Sequence, residues 1–179
     1  MHQHLQDVFS RLDQSRAALG AAVASIAEPK RQQRPTPERW SAAEVLEHLS
    51  MVERLFTGRV ADAIAEARAG LTPEDGHRVP LAEAIETRMA DRVNKRTASE
   101  AATPTGTLDA AAAWAAVEGG HQRLRDLLAG ASGLALSQVI VEHPFFGKMT
   151  PYQFVELIAA HEARHTQQIE EIARAFGGE

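Results

Sequence analysis

The sequence predicts an all-α protein, a four-helix bundle within a single domain spanning residues 1–179. Three observations predict it. Long stretches repeat apolar residues at steps of three, four and seven. The 179 residues include 33 alanines but only nine aromatic side chains, a composition that favours helix over sheet. Breaks rich in proline and glycine separate the periodic stretches.

The first helix is expected over residues 3–27, with Leu5, Val8, Phe9, Leu12, Leu19, Val23 and Ile26 on one face. Pro29, Pro35 and Pro37 end it and make 28–40 a loop. The second helix starts at Ser41. With Glu44 three residues later, this serine fits the capping box, in which hydroxyl and carboxylate each accept an otherwise unpaired N–H. Val45, Leu49, Val52, Leu55, Phe56 and Ile64 carry the pattern to about Ala69, where Gly70 and Pro73 stop it.

A long, partly helical crossover follows. Leu81, Ile85, Met89 and Val93 recur every four residues and predict a shorter helix over 81–96; TASEAATPTGT then reads as a loop. A third long helix is expected from about Leu108 to Ala129, where Gly119-Gly120 allows a bend or a close helix contact. Gly130, Gly133, Pro144 and Gly147 make 130–149 a connection, with one short extended piece in SQVIVEHPFF. The last helix opens on Thr150-Pro151, an N-cap followed by proline, with Gln153 at the capping-box position. It runs to about Phe176 and ends at Gly177-Gly178.

Composition excludes several classes. Without cysteine there is no disulfide framework, thiolate metal site or cysteine nucleophile. A net charge of −5 gives no global reason to bind nucleic acid. The basic loop residues Lys30, Arg31 and Arg34 lack interleaved aromatic side chains. No apolar run approaches the ~20 residues of a membrane span. The opening MHQHLQDVFSRLDQ has no basic segment leading into an apolar one, so a cytoplasmic protein is expected.

The histidines carry the chemical signal. His48 lies three residues after Val45 and four before Val52, on the inward face of the second helix. His161 lies four after Leu157, and His165 lies four before Ile169, so both face inward one turn apart on the last helix. An i, i+4 pair can aim two imidazole nitrogens at one divalent ion, and a third from a facing helix leaves coordination positions open. Core histidines with satisfied hydrogen bonds are the plain alternative. Three such rings would each need a polar partner in an alanine-rich interior. Zinc is the default for imidazole donors; nickel, iron and manganese are compatible.

Five further side chains are candidates for supporting the site or binding substrate. Gln168 shares the face of His161 and His165 and could orient a ligand. Glu44 lies one turn before His48. His121 follows Val117 by four and could face the core. His143 could sit at the mouth of the site. Glu162 could be outward, a supporting carboxylate or a general base. The HEARH segment matches H-E-x-x-H, yet position 171 is glutamate and 14 residues follow His165, which argues against a zinc protease.

Three segments together resemble the DinB-like (DinB/YfiT, DinB_2-type) superfamily. They are RWSAAEVLEHLSMVE, TPTGTLDAAAAW and HPFFGKMTPYQFVELIAAHEARHTQQIEEI. The resemblance spans nearly the whole chain and is weakest over residues 71–100. It implies up-down-down-up topology and a divalent metal on the positions matching His48, His161 and His165. It also implies a homodimer and, by likeness to some members, S-transfer using a low-molecular-weight thiol such as bacillithiol or mycothiol and a small electrophilic substrate. The expected function is therefore a metal-dependent enzyme, S-transferase-like or hydrolase-like. The alternatives are a non-catalytic metal-binding or stress-response module, or a metal-free bundle acting through oligomerisation.

Overall fold

The computed structural model describes residues 2–93 and 98–177. Among the described residues the α-helices are five: α1 (Gln3–Ala24), α2 (Ala42–Ala67), α3 (Glu83–Ala90), α4 (Ala110–Ala129) and α5 (Pro151–Ala175). Two short strands, β1 (Val141–His143) and β2 (Gly147–Met149), form an antiparallel hairpin that pairs Val141 with Met149. The connection thus holds two extended pieces where one was expected. Among the described residues, no helix is long and apolar enough to cross a membrane.

The helix starts follow local chemistry. Ser41 and Glu44 form a complete capping box on α2, and Thr150 and Gln153 form another on α5, with Pro151 at the first helical position. Asp109 caps α4 by accepting from Ala112 N–H. The periodic patterns overrun the helix ends. α1 stops at Ala24, three residues early, and α2 gives way to a 3-10 turn at Arg68–Gly70. The crossover helix α3 is half the expected length. The Asp91 carboxylate accepts Val93 N–H at 2.8 Å, a local turn that competes with helix, and leaves Val93 exposed. Asn94, Lys95 and Arg96, which were expected to extend α3, lie outside the described residues, as does Gly178 beyond α5.

Side-chain contacts give the helix directions. α1 and α5 run parallel, because His4 meets Tyr152 and Arg16 meets Glu162. α1 and α4 run antiparallel, with Arg125 over Phe9 and Trp114 against Gly20. α2 and α5 are also antiparallel, pairing His48 with His165 and Phe56 with Phe154. α2 and α4 are therefore parallel, and the four long helices run up-down-down-up. The long crossover between α2 and α4 makes that order reachable. It docks on α5 through the buried Glu156, which accepts Leu81 N–H at 2.7 Å and pairs with Arg78.

Among the described residues the core forms two apolar clusters. One gathers Leu5, Leu12, Val60, Leu124, Phe154 and Leu157; the other gathers Leu19, Val45, Leu46, Val117 and Ile169. A charged layer lies between them: Arg16 from α1, Glu53 from α2 and Glu162 from α5, all buried. Gly120 lets α2 and α4 close at this level. A Cβ there would sit 2.9 Å from Glu53 Oε2, so the Gly119-Gly120 step marks a close helix contact.

Candidate metal centre

α2 contributes His48 in its second turn, and α5 contributes His161 and His165 one turn apart near its middle. Because α2 and α5 are antiparallel, His48 meets both rings, with centroids 5.3 Å from His161 and 4.8 Å from His165. Among the described residues these three form the one group of potential ligands whose donor atoms all lie within 4.8 Å of one another. The Nε2 atoms of His161 and His165 are 3.1 Å apart. His48 and His165 are buried and His161 is half-buried, so the cluster opens past His161.

The outer partners fix two of the rings. His48 Nδ1 lies 2.6 Å from the carbonyl of Ala102, which only accepts, so Nδ1 carries the proton and Nε2 keeps a lone pair. His165 Nδ1 lies 2.8 Å from Gln168 Oε1. The Arg92 guanidinium, a donor only, also reaches Oε1 at 3.4 Å, which identifies that atom as the oxygen and makes His165 Nδ1 a donor too. Burial lowers the pKa of His48, with the Ala102 carbonyl opposing. Burial, reinforced by His161 and His48, holds His165 well below the ordinary histidine range. Both rings are therefore neutral near pH 7, the state a metal ligand needs. The donor set fits a divalent ion bound through imidazole nitrogens.

The other candidates are placed differently. Gln168 stands behind His165 as its hydrogen-bond acceptor. Glu44 does not reach His48: it accepts from Ser41 N–H at 2.8 Å and pairs with Arg34. Capping and the ion pair use its oxygens. Glu162 is neither outward nor aimed at the histidines. The helical rotation from His161 turns it toward α1, where it pairs with Arg16 and accepts from Ser15. That excludes the H-E-x-x-H reading, because the acid faces away from the histidine pair. His121 hydrogen-bonds Asp13 Oδ1 at 3.1 Å on the α1–α4 side. His143 packs among Phe56, Phe146 and Phe154 and accepts Phe145 and Phe146 N–H on Nδ1. Phe154 is two turns of α5 below His161, so His143 closes the hairpin instead of lining the cluster.

Sequence reasoning missed Trp40 and Ala102. Trp40 lies tilted against His48, with ring centroids 5.1 Å apart. Its place just before the N-cap Ser41 is where a hydrophobic staple is found, and that was the available signal. Ala102 acts through its backbone carbonyl, for which no side-chain pattern exists.

The sequence profile of the DinB superfamily matches residues 11–169. The uncharacterised protein YuaE of Bacillus subtilis strain 168 is 24% identical over 176 residues, covering 92% of this chain and 96% of its own. The fold is similar to that of YfiT from Bacillus subtilis, with a TM-score of 0.63 and 18% identity over 100% of this chain and 91% of that one. YfiT is described as a probable metal-dependent hydrolase with an unusual four-helix bundle topology.

Proposed function

The chain belongs to the DinB superfamily, and from its histidine cluster we propose a metal-dependent hydrolase whose divalent ion is held by His48, His161 and His165. One observation carries this reading: three imidazoles converge from two helices with donor atoms within 4.8 Å, two of them held with Nδ1 protonated and a lone pair on Nε2. The description of YfiT supports the hydrolytic class. Zinc is the expected ion, with nickel, iron and manganese compatible with the same donors.

A bound divalent ion would supply Lewis-acid activation of a small nucleophile at the open side of the cluster. The rest of the work falls to the chain. Ala102 and Gln168 hold the His48 and His165 rings in one tautomer. Trp40 covers His48, and the buried rings keep water to the His161 side. Neutral imidazoles leave the ion its full positive charge, which also suits an anionic sulfur nucleophile. S-transfer is accordingly the second reading. The chain has no cysteine, so its thiol would be an external low-molecular-weight one acting on a small electrophile. A homodimer, on the strength of the family resemblance, and a cytoplasmic setting, from the cysteine-free composition and the N-terminal pattern, complete the proposal.

Metal analysis of tag-free protein after dialysis against each ion tests the centre. About one ion per chain is expected; less than ~0.2 per chain overturns it. Turnover of an ester and amide panel, and of a thiol panel with model electrophiles, separates the two reactions. Rates equal in wild type and His161→Ala would remove the metal from either.

A further inference from the structure

Glu47 is buried next to His48 in sequence, and its carboxylate is taken up by the loop at Thr105 and Gly106. Its carboxylate accepts Thr105 N–H at 3.0 Å and Thr105 Oγ1–H at 2.6 Å on Oε1, and Gly106 N–H at 2.9 Å on Oε2. A carboxylate that accepts from two successive backbone N–H groups and a hydroxyl fixes the loop presenting them, because such charge-assisted bonds are roughly twice as strong as neutral ones. Gly106 makes the grip possible: its φ is +71°, a backbone conformation open to glycine and strained for other residues.

The same loop ends the 3-10 turn Glu100–Ala102, and the carbonyl at that end is the acceptor of His48 Nδ1–H. Thr105 lies three residues after Ala102. Residues 47 and 48 of α2 thus engage one short segment from two sides. Glu47 clamps its backbone donors, and His48 reads its backbone acceptor.

We propose that Glu47 is a positioning residue for the metal centre: by anchoring residues 105 and 106 it holds the Ala102 carbonyl where it sets the tautomer and orientation of His48. This rests on the reading of His48 as a ligand. Hydrogen-bond partners of a metal ligand typically govern ten- to hundredfold in metal affinity, and the Ala102 carbonyl is the partner that Glu47 holds in place. Here the support reaches the ligand through a loop of the crossover, so the crossover shapes a site whose three candidate ligands come from α2 and α5.

The test measures Co(II) affinity of the full chain by competition with a chromophoric chelator, alongside the ¹⁵N shifts of His48 in metal-free protein. Glu47→Gln should weaken Co(II) binding about tenfold or more and mix the His48 tautomers. In a His48→Ala background the same substitution should change affinity less than about twofold, since Glu47 acts through His48. Glu156→Gln removes another buried acid that accepts a backbone N–H, and it should leave Co(II) affinity unchanged. Thr105→Val removes a single bond to Glu47 and should give a smaller loss in the same direction, which covers a Glu47→Gln variant that does not fold. Equal losses in both backgrounds, or an unchanged His48 tautomer, would overturn the inference. Wild type failing to bind Co(II) would overturn the ligand reading instead.

Discussion

Arg16 and Glu162 form a buried pair across α1 and α5, with Arg16 Nε donating to Glu162 Oε1 at 3.0 Å one residue after His161. The same guanidinium reaches Glu53 at 3.4 Å and Glu118 at 3.3 Å. One cation therefore serves two buried carboxylates between the two halves of the core. Removing it should be far worse than removing one acid. Arg16→Met should cost about 3–5 kcal/mol, because it strands buried charge. Glu162→Gln, which leaves Arg16 paired with Glu53, should cost less. Urea unfolding of the two variants compares them, and an equal loss would refute the shared-cation account.

The same layer makes stability depend on pH. Burial lifts the Glu53 pKa to about 7, with Arg16 opposing, and among the described residues its Oε1 has no hydrogen-bond partner. The folded-state pKa is raised, so folding favours the protonated acid. Between the ordinary 4.5 and about 7 the folded chain holds a proton that the unfolded chain has released. Stability from this group is present below that window and lost as pH rises through it, by roughly 3 kcal/mol in all. Wild type should lose this amount relative to Glu53→Gln between pH 4.5 and 7. Parallel pH profiles of the two would contradict it.

The paired glycines of α4 should respond with opposite signs. Gly120→Ala places a Cβ 2.9 Å from Glu53 Oε2 and disturbs the ion layer, so a loss of about 1–3 kcal/mol is expected. At Gly119 the nearest atom is the Arg123 Nη1 tip at 3.2 Å, the end of a flexible side chain. There the helix propensity of alanine should dominate, with a gain of up to about 1 kcal/mol. Thermal melts of the two variants decide the signs.

Ligand ions should stabilise the fold by mass action. An ion present at about 100 times its Kd should add about 2.7 kcal/mol to unfolding free energy, reversibly with chelator. His165→Ala should lose most of this response while keeping a folded bundle. Helical circular dichroism and melting with and without ion measure both. A response of equal size in the variant would place the ion elsewhere.

Much of this was legible in one chain of letters. The caps at Ser41 and Thr150, the breaks at Pro29 and Gly70, and the inward registers of His48, His161 and His165 are local facts, set by spacing along single helices. The first turn of α2 looks the same whether Glu44 serves the cap or a histidine; the proximity of Arg34 decides it. Glu162 illustrates the limit from the other side. Its one-residue offset from His161 rotates it off that face by about 100°, but only the packing of α1 shows that Arg16 waits there.

By itself, then, the sequence determined which segments are helical, where most begin, and which three imidazoles face inward, because periodicity and capping act within a few residues. The tertiary structure decided what those imidazoles meet. Antiparallel packing of α2 against α5 brings His48 to the pair, and the crossover supplies the Ala102 carbonyl. The hairpin claims His143, and α1 claims His121 and Glu162. Apart from the hairpin's own bonds to His143, such partners are separated by tens of residues or more. Hydrogen bonds and ion pairs at that separation depend on which helices become neighbours, and no single-helix pattern encodes that.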